Sequence, residues 1–168
     1  MSELFEKAKK AVVEKKLPII EEERTKNPMY VSMRELPLRF QFGIAKVQKF
    51  FEGLRDGKIY MTRCKGCGEK YFPPQADCSK CQSSDMEWVE LSGEGELITF
   101  TTIYVKPSSF AHYKDYSVGI VEMKEGVRVL AWLDVDDPKK VKPRMKVRLV
   151  TVKREPEGYI IYHLVPSE

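Results

Sequence analysis

The sequence predicts a mainly β protein with N-terminal helices, in which a four-cysteine ribbon precedes a small five-stranded barrel. Three observations predict it. Two Cys-x-x-Cys pairs stand at Cys64, Cys67, Cys78 and Cys81, helical periodicity is confined to the first part of the chain, and period-two alternation runs from Trp88 towards the C-terminus. The divisions that follow are a helical segment over 1–58, the ribbon over 59–88 and the barrel over 89–168.

The 168 residues are 42% hydrophobic, enough to bury a real core, and the 32% that are charged are interspersed with apolar runs in the manner of a globular chain. A net charge of +4 and a pI near 8.8 favour a polyanionic ligand without choosing among nucleic acid, anionic lipid and a phosphorylated cofactor. The start, Met1-Ser2-Glu3-Leu4-Phe5-Glu6-Lys7, carries charges where a signal peptide needs an apolar core. No stretch approaches the roughly 18 apolar residues of a membrane span, so the expected location is the cytoplasm, with no membrane partner.

The first helix begins at a Ser2 cap and sets Leu4, Phe5, Ala8, Ala11 and Val12 at helical spacing. Lys16 to Met33 interrupts it with Pro18, Pro28 and the charge run Glu21-Glu22-Glu23-Arg24, and reads as an extended linker. A second helix is expected from Pro37 to Leu54, where Ile44, Val47, Phe51 and Leu54 form a stripe that Phe40 and Phe50 widen, and Asp56-Gly57 ends it. Such a face either packs on the rest of the protein or docks a partner.

Beyond Trp88, Leu97, Thr99, Thr101, Ile103 and Val105 alternate with Ile98, Phe100, Thr102 and Tyr104. Further runs are Ser117 to Met123, Val127 to Val135, Met145 to Lys153 and Tyr159 to Val165, five strands in all. Lys124-Glu125-Gly126 reads as a hairpin turn, and Gly93 and Gly95 suit a bulge or sharp bend. Five short strands with a long first one fit a barrel of the OB type, where a sandwich would need about seven.

In the ribbon, a two-residue gap within each cysteine pair lets a tight turn aim both sulfurs at one point. The ten residues between the pairs, with Tyr71, Phe72, Pro73 and Pro74, read as the hairpin that brings them together. Gly68 follows the first pair, where positive φ frees backbone N–H groups for the sulfurs, and Gln82 takes the equivalent place in the second. Four thiolates around zinc carry a charge of about −2, and Arg63, Lys65, Lys70 and Lys80 lie near in sequence to offset it. Two disulfides fit a chain without a secretion signal poorly, and duplicated pairs at short spacing are much more specific than a lone redox C-x-x-C, while spacing alone leaves iron of the rubredoxin type open. A closed four-thiolate site has no position for water or substrate, so the zinc reads as structural and leaves no spare thiol nucleophile.

No catalytic constellation is evident. His112 lies in a loop near Ser108 and Ser109, His163 in the last strand, and Asp134, Asp136 and Asp137 read as solvated loop acids beside Pro138. Nucleophile-elbow, H-E-x-x-H, phosphate-loop and dinucleotide motifs are absent from the sequence. The expectation is a protein that is not an enzyme.

From about Phe40 onwards the chain resembles the Zn-ribbon/OB-fold acyl-CoA-associated proteins, long classed as a domain of unknown function. The resemblance rests on Phe51-Glu52-Gly53-Leu54-x-x-Gly57-Lys58, Arg63-Cys64-x-x-Cys67-Gly68, Phe72-Pro73-Pro74, Cys78-x-x-Cys81, Glu87-Trp88 and Gly93-x-Gly95. The chain departs from the family at Gln75, where an Arg is common, at Asp115, where a Pro precedes the Tyr, and at Arg144, where a Gly is usual. The resemblance implies a non-catalytic subunit associated with thiolase-like enzymes, including acetoacetyl-CoA thiolase, hydroxymethylglutaryl-CoA synthase and lipid-transfer-type thiolases, whose barrel helps hold CoA. For that contact the loop after the first barrel strand offers Lys106, Ser108, Phe110, His112, Tyr113 and Lys114, phosphate donors beside flat rings. The aromatic helix and the ribbon would face the enzyme.

The alternative is a nucleic-acid-binding ribbon and barrel. Lys139, Lys140, Lys142, Arg144, Lys146, Arg148, Lys153 and Arg154 form a basic run, with Lys146 and Arg148 opposite Met145, Val147 and Leu149. The run is poor in stacking aromatics, which favours the CoA reading.

Overall fold

The computed structural model describes residues 3–32 and 40–167. Two compact units divide it, Met1–Phe42 and Gly43–Glu168, so the expected boundary at residue 58 lies inside the second.

In the first unit α1 (Glu3–Lys15) buries Ala8 and Ala11 and places Glu3 and Glu6 in its first turn and Lys15 in its last, the arrangement the helix dipole favours. The expected Ser2 cap lies outside the described residues. Lys16 ends the helix at φ 59°. The stretch expected as a linker instead contains a short hairpin, β1 (Ile19–Glu21) against β2 (Pro28–Tyr30), with Ile19 opposite Tyr30. Its prolines are tolerated because Pro28 begins its strand and Pro18 uses only its carbonyl, which accepts from Val31 N–H at 2.9 Å. The charge run forms the exposed turn, closed by Glu22 N–H to Asn27 O at 3.0 Å.

The second helix is much shorter than the apolar stripe suggests. Residues 40–44 are not helical, a 3₁₀ turn covers Ala45–Val47, and α2 runs only over Gln48–Arg55; residues 37–39 lie outside the described residues. Neither Ile44 nor Val47 supplies a capping side chain, so helix persists only where packing supports it, at Phe50 and Leu54 one turn apart. Phe50 is a core residue, with its ring centre 5.9 Å from that of Phe72 and 6.2 Å from that of Tyr162, both edge-on. Phe51 is the exposed neighbour. Phe40, expected to widen the helical face, stands exposed in irregular chain, as does Phe42.

The ribbon sheet has β3 (Tyr60–Cys64) at its centre, flanked by β4 (Lys70–Tyr71) and β5 (Met86–Glu90), all antiparallel. The five remaining strands are β6 (Glu94–Ile103), β7 (Tyr116–Met123), β8 (Arg128–Leu133), β9 (Lys146–Lys153) and β10 (Ile160–Pro166). They close a barrel in the order β10-β8-β7-β6-β9. This is the expected five-stranded barrel, consistent with an OB fold. Alternation sorts the faces: Val129, Ala131 and Leu133 of β8 point into the core, while Leu130 is exposed and Trp132 half-buried. Closure removes the sheet edges that would otherwise invite further pairing.

The bend expected at Gly93 and Gly95 is distributed over three residues. Gly93 turns at φ 80°, and a Cβ on Gly95 would lie 2.5 Å from Val121 Cγ2, so its bare backbone permits the close approach of β7. The bulge falls further on, where the register slips between Leu97 and Thr99.

Arg144, which stands where the resembling family has Gly, adopts φ 68° while its N–H bonds Leu97 O at 2.7 Å. A non-glycine residue there is strained. Arg144→Gly is expected to raise the thermal midpoint, with a gain of about 1 kcal/mol read from chemical unfolding; an unchanged or lower midpoint would show that the turn costs Arg nothing.

Candidate metal centre and ligand loop

The structure brings all four cysteines together, with their sulfurs within 4.8 Å of one another. Cys64 Sγ lies 3.4 Å from Cys81 Sγ and Cys67 Sγ 3.5 Å from Cys78 Sγ. Zinc–sulfur bonds of about 2.3 Å place tetrahedral sulfurs about 3.8 Å apart, so this donor set fits one such ion. Cys64 closes β3, and each pair sits on its own turn. Gly68 N–H bonds Cys64 O at 2.8 Å and Gln82 N–H bonds Cys78 O at 2.9 Å, with φ of 76° and 59° respectively. Gln82 therefore takes the same left-handed turn as Gly68, and the two knuckles are near copies.

Electrostatics also favours a cation here. A hydrogen bond from the Tyr71 hydroxyl, with backbone N–H groups of Cys81 and Lys80, pulls the Cys78 thiol down to about 6. Cys81 receives the Ser83 N–H, which lowers it, yet the sulfurs of Cys64, Cys67 and Cys78 push it up to about 12. Four thiols competing for protons at such distances are relieved when a divalent ion replaces those protons.

The basic neighbours behave differently from expectation. Arg63 pairs with Glu87, Lys65 with Asp85 at 2.9 Å and Lys80 with Glu69 at 2.9 Å, while Lys70 Nζ donates to Glu125 O at 2.7 Å. Much of their charge is answered by carboxylates, and the sulfurs are instead served by N–H groups and by Tyr71. Ser79 N–H donates to Tyr71 Oη at 3.1 Å, which directs the phenolic hydrogen to Cys78 Sγ at 3.2 Å. Tyr71 was legible as a hairpin residue, but its role depends on a turn that folds the second knuckle back over it.

Of the six residues expected to meet CoA, three come together. The rings of Phe110, His112 and Tyr113 are in contact, Phe110 to Tyr113 at 5.6 Å and His112 to Tyr113 at 4.1 Å. Lys106 instead turns to Asp115, the residue at a position of family departure, and Ser108 and Lys114 are exposed. Sequence reading missed the other half of this cluster. Tyr116 stacks on Trp132 at 4.1 Å, Arg154 lies over Trp132 at 4.1 Å, and Tyr113 Oη donates to the Glu157 carboxylate. Trp132 sits on the outward alternation of β8 and Arg154 just past the end of β9, positions that do not reveal convergence in the sequence. His163 is buried, stacks 5.5 Å from Trp132 and is joined through Nδ1 to Asp134 at 2.8 Å, so Asp134 is more than a solvated loop acid.

Of the basic run, Lys146 pairs with Glu96 at 2.8 Å and Lys153 with Glu155 at 2.9 Å, which neutralises part of the surface a nucleic acid would need. Among the described residues no helix is long and apolar enough to cross a membrane.

A four-cysteine ribbon joined to a closed five-stranded barrel defines the class of zinc-ribbon/OB-fold proteins. Residues 51–87 match the family described as ChsH2, rubredoxin-like zinc ribbon domain, and residues 88–152 that described as ChsH2, C-terminal OB-fold domain. A DUF35 domain-containing scaffold protein of Pyrococcus furiosus is 39% identical over 121 residues, 70% of this chain and 88% of the relative. The benzoylsuccinyl-CoA thiolase subunit BbsA of Thauera aromatica is 32% identical over 72 residues, 43% of this chain and 49% of that protein. The solved Ltp2-ChsH2(DUF35) aldolase superposes with a TM-score of 0.61 at 28% identity, covering 71% of this chain and 92% of that one. The chain belongs to the DUF35 family of scaffold proteins.

Tyr71→Phe deletes the hydroxyl and keeps the ring. It is expected to weaken zinc affinity about 10- to 100-fold in a chelator competition; an unchanged affinity would show that the contact with Cys78 contributes nothing to the metal.

Proposed function

We propose that the protein is a non-catalytic acyl-CoA-associated scaffold subunit that supports a thiolase or hydroxymethylglutaryl-CoA synthase type enzyme and contributes to CoA binding. One structural zinc is held by Cys64, Cys67, Cys78 and Cys81. The observation that carries the reading is membership of a scaffold family whose relatives include thiolase subunits, in a chain whose four thiols all converge on one point. Four thiolates fill a tetrahedral ion, so zinc supplies rigidity and no reactive position.

The expected contact surface changes with the structure. Phe50 serves the core, so of the rings on α2 the outer part of Phe51 is the one available to a partner enzyme, while Phe40 and Phe42 are exposed in the first unit. The CoA surface is the outer barrel face around Phe110, His112 and Tyr113, where Arg154 and the half-buried Trp132 add a cation and a flat ring.

Affinity capture with the full chain is expected to retain a thiolase-type enzyme, and the purified protein alone is expected to turn over no acyl-CoA. The double change Tyr113→Ala and Arg154→Ala should weaken CoA binding at least several-fold by calorimetry. Turnover by the isolated chain, abolished by His112→Ala, would overturn the non-catalytic reading, and unchanged CoA affinity in the double variant would overturn the loop assignment.

A further inference from the structure

One anionic side chain latches two turns of the barrel together. Tyr113 Oη donates to the Glu157 carboxylate, His112 Nε2 lies 3.8 Å from the same group, and the hydroxyl and the nearby Arg154 charge hold that carboxyl below its ordinary range. The Arg154 guanidinium carbon sits 5.1 Å from the ring centre of Tyr113, 5.7 Å from that of Phe110 and 4.1 Å from that of Trp132. Its Nε and Nη2 are buried and have no hydrogen-bond partner, so ring faces hold the cation while two of its donor atoms remain unused.

A phenol bonded to one carboxylate, an imidazole 3.8 Å from it and a guanidinium beside the same phenol ring form the kind of donor set that holds a phosphate oxyanion. Lys106 is not part of it, being engaged with Asp115. The carboxylate comes from an exposed turn closed by Gly158 N–H to Arg154 O at 2.7 Å and Arg154 N–H to Tyr159 O at 2.9 Å. Gly158, at φ 79°, follows Glu157 directly, and no side chain of its own impedes movement of the Glu157 carboxylate.

We propose that Glu157 is an internal stand-in for a phosphate group, so that a phosphate-bearing ligand reaches Tyr113, His112 and Arg154 only by displacing it. The inference rests on the CoA reading for the identity of the natural ligand, while the competition itself requires only a phosphate. Affinity is thereby held below what the three donors would give alone. A ligand with a flat ring beside its phosphates would gain twice, replacing Glu157 at the donors and stacking where the latch has opened.

The test is a titration of the full chain with inorganic pyrophosphate, followed by the imidazole resonances of its two histidines. His163, buried against Asp134, is the internal control. Glu157→Gln keeps the shape of an exposed side chain and removes its charge, and is expected to tighten pyrophosphate binding about tenfold with a shift confined to His112. Adding Tyr113→Phe should remove most of that gain. Equal affinity in Glu157→Gln and wild type, or a gain that survives Tyr113→Phe in full, would overturn the proposal. CoA titrated in parallel separates the two readings. A pyrophosphate gain with no CoA binding to either chain leaves the latch standing and sinks the CoA reading, whereas CoA binding equal in both chains does the reverse.

Discussion

Convergence of four sulfurs on one point is the constraint on which the ribbon depends. β4 has two residues and the turns that carry the cysteines are polar, so that end of the sheet has little apolar surface to hold it, whereas Ile59, Met61, Trp88 and Val89 pack into the common core. A small element of this kind needs a cross-link, and a four-thiolate ion supplies one without an oxidising compartment. The rest of the second unit is built against the result. β3, anchored at Cys64, carries the buried Met61 and Thr62, and Thr62 Oγ1 in turn holds the 72–75 turn through Gln75 N–H at 2.9 Å. That turn presents Phe72 to Tyr162 at 5.4 Å, so the ribbon meets the barrel and α2 in one aromatic joint around Phe50.

The metal and the loop cluster share a chemical logic. At the metal, like-charged sulfurs are tolerated because N–H groups, Tyr71 and a cation answer them. On the barrel, a guanidinium is tolerated half-buried because three ring faces and a nearby carboxylate answer it. The metal centre draws on side chains within one short segment, whereas the loop cluster gathers its members from the loop after β6, from β8 and from the turn after β9.

The sequence made the metal centre and the barrel strands legible because each is written in a short period. Cysteine spacing places the sulfurs within a few residues of a turn, and alternation separates inward from outward residues in β7 and β8, whereas in β6 the slip between Leu97 and Thr99 breaks the expected alternation and leaves Thr99 and Thr101 exposed beside a half-buried Phe100. What sequence could not show was convergence between distant elements. Tyr71 reaches Cys78 only through the fold of the second knuckle, and Arg154, Trp132 and Glu157 meet Tyr113 only after the barrel closes. The overlong second helix had another cause. Phe40, Ile44 and Val47 have helical spacing, but neither Ile44 nor Val47 offers a capping side chain where the described turns begin, and of the described residues in this stretch Phe50 and Leu54 are the apolar side chains in the core. The hairpin at Ile19 and Tyr30 was hidden by two prolines that stand where no ladder N–H is required.

The central claim is that one metal ion organises the ribbon and that the barrel is a separate source of stability. It is tested most directly by counting metal per chain in protein purified without chelator, then following backbone amide signals as the metal is withdrawn. The account predicts one zinc per chain, loss of the dispersed signals of residues 60–90 on chelation, and survival of those from β6 to β10. A chain with neither zinc nor iron, or a ribbon whose signals stay unchanged after the metal is gone, would contradict it.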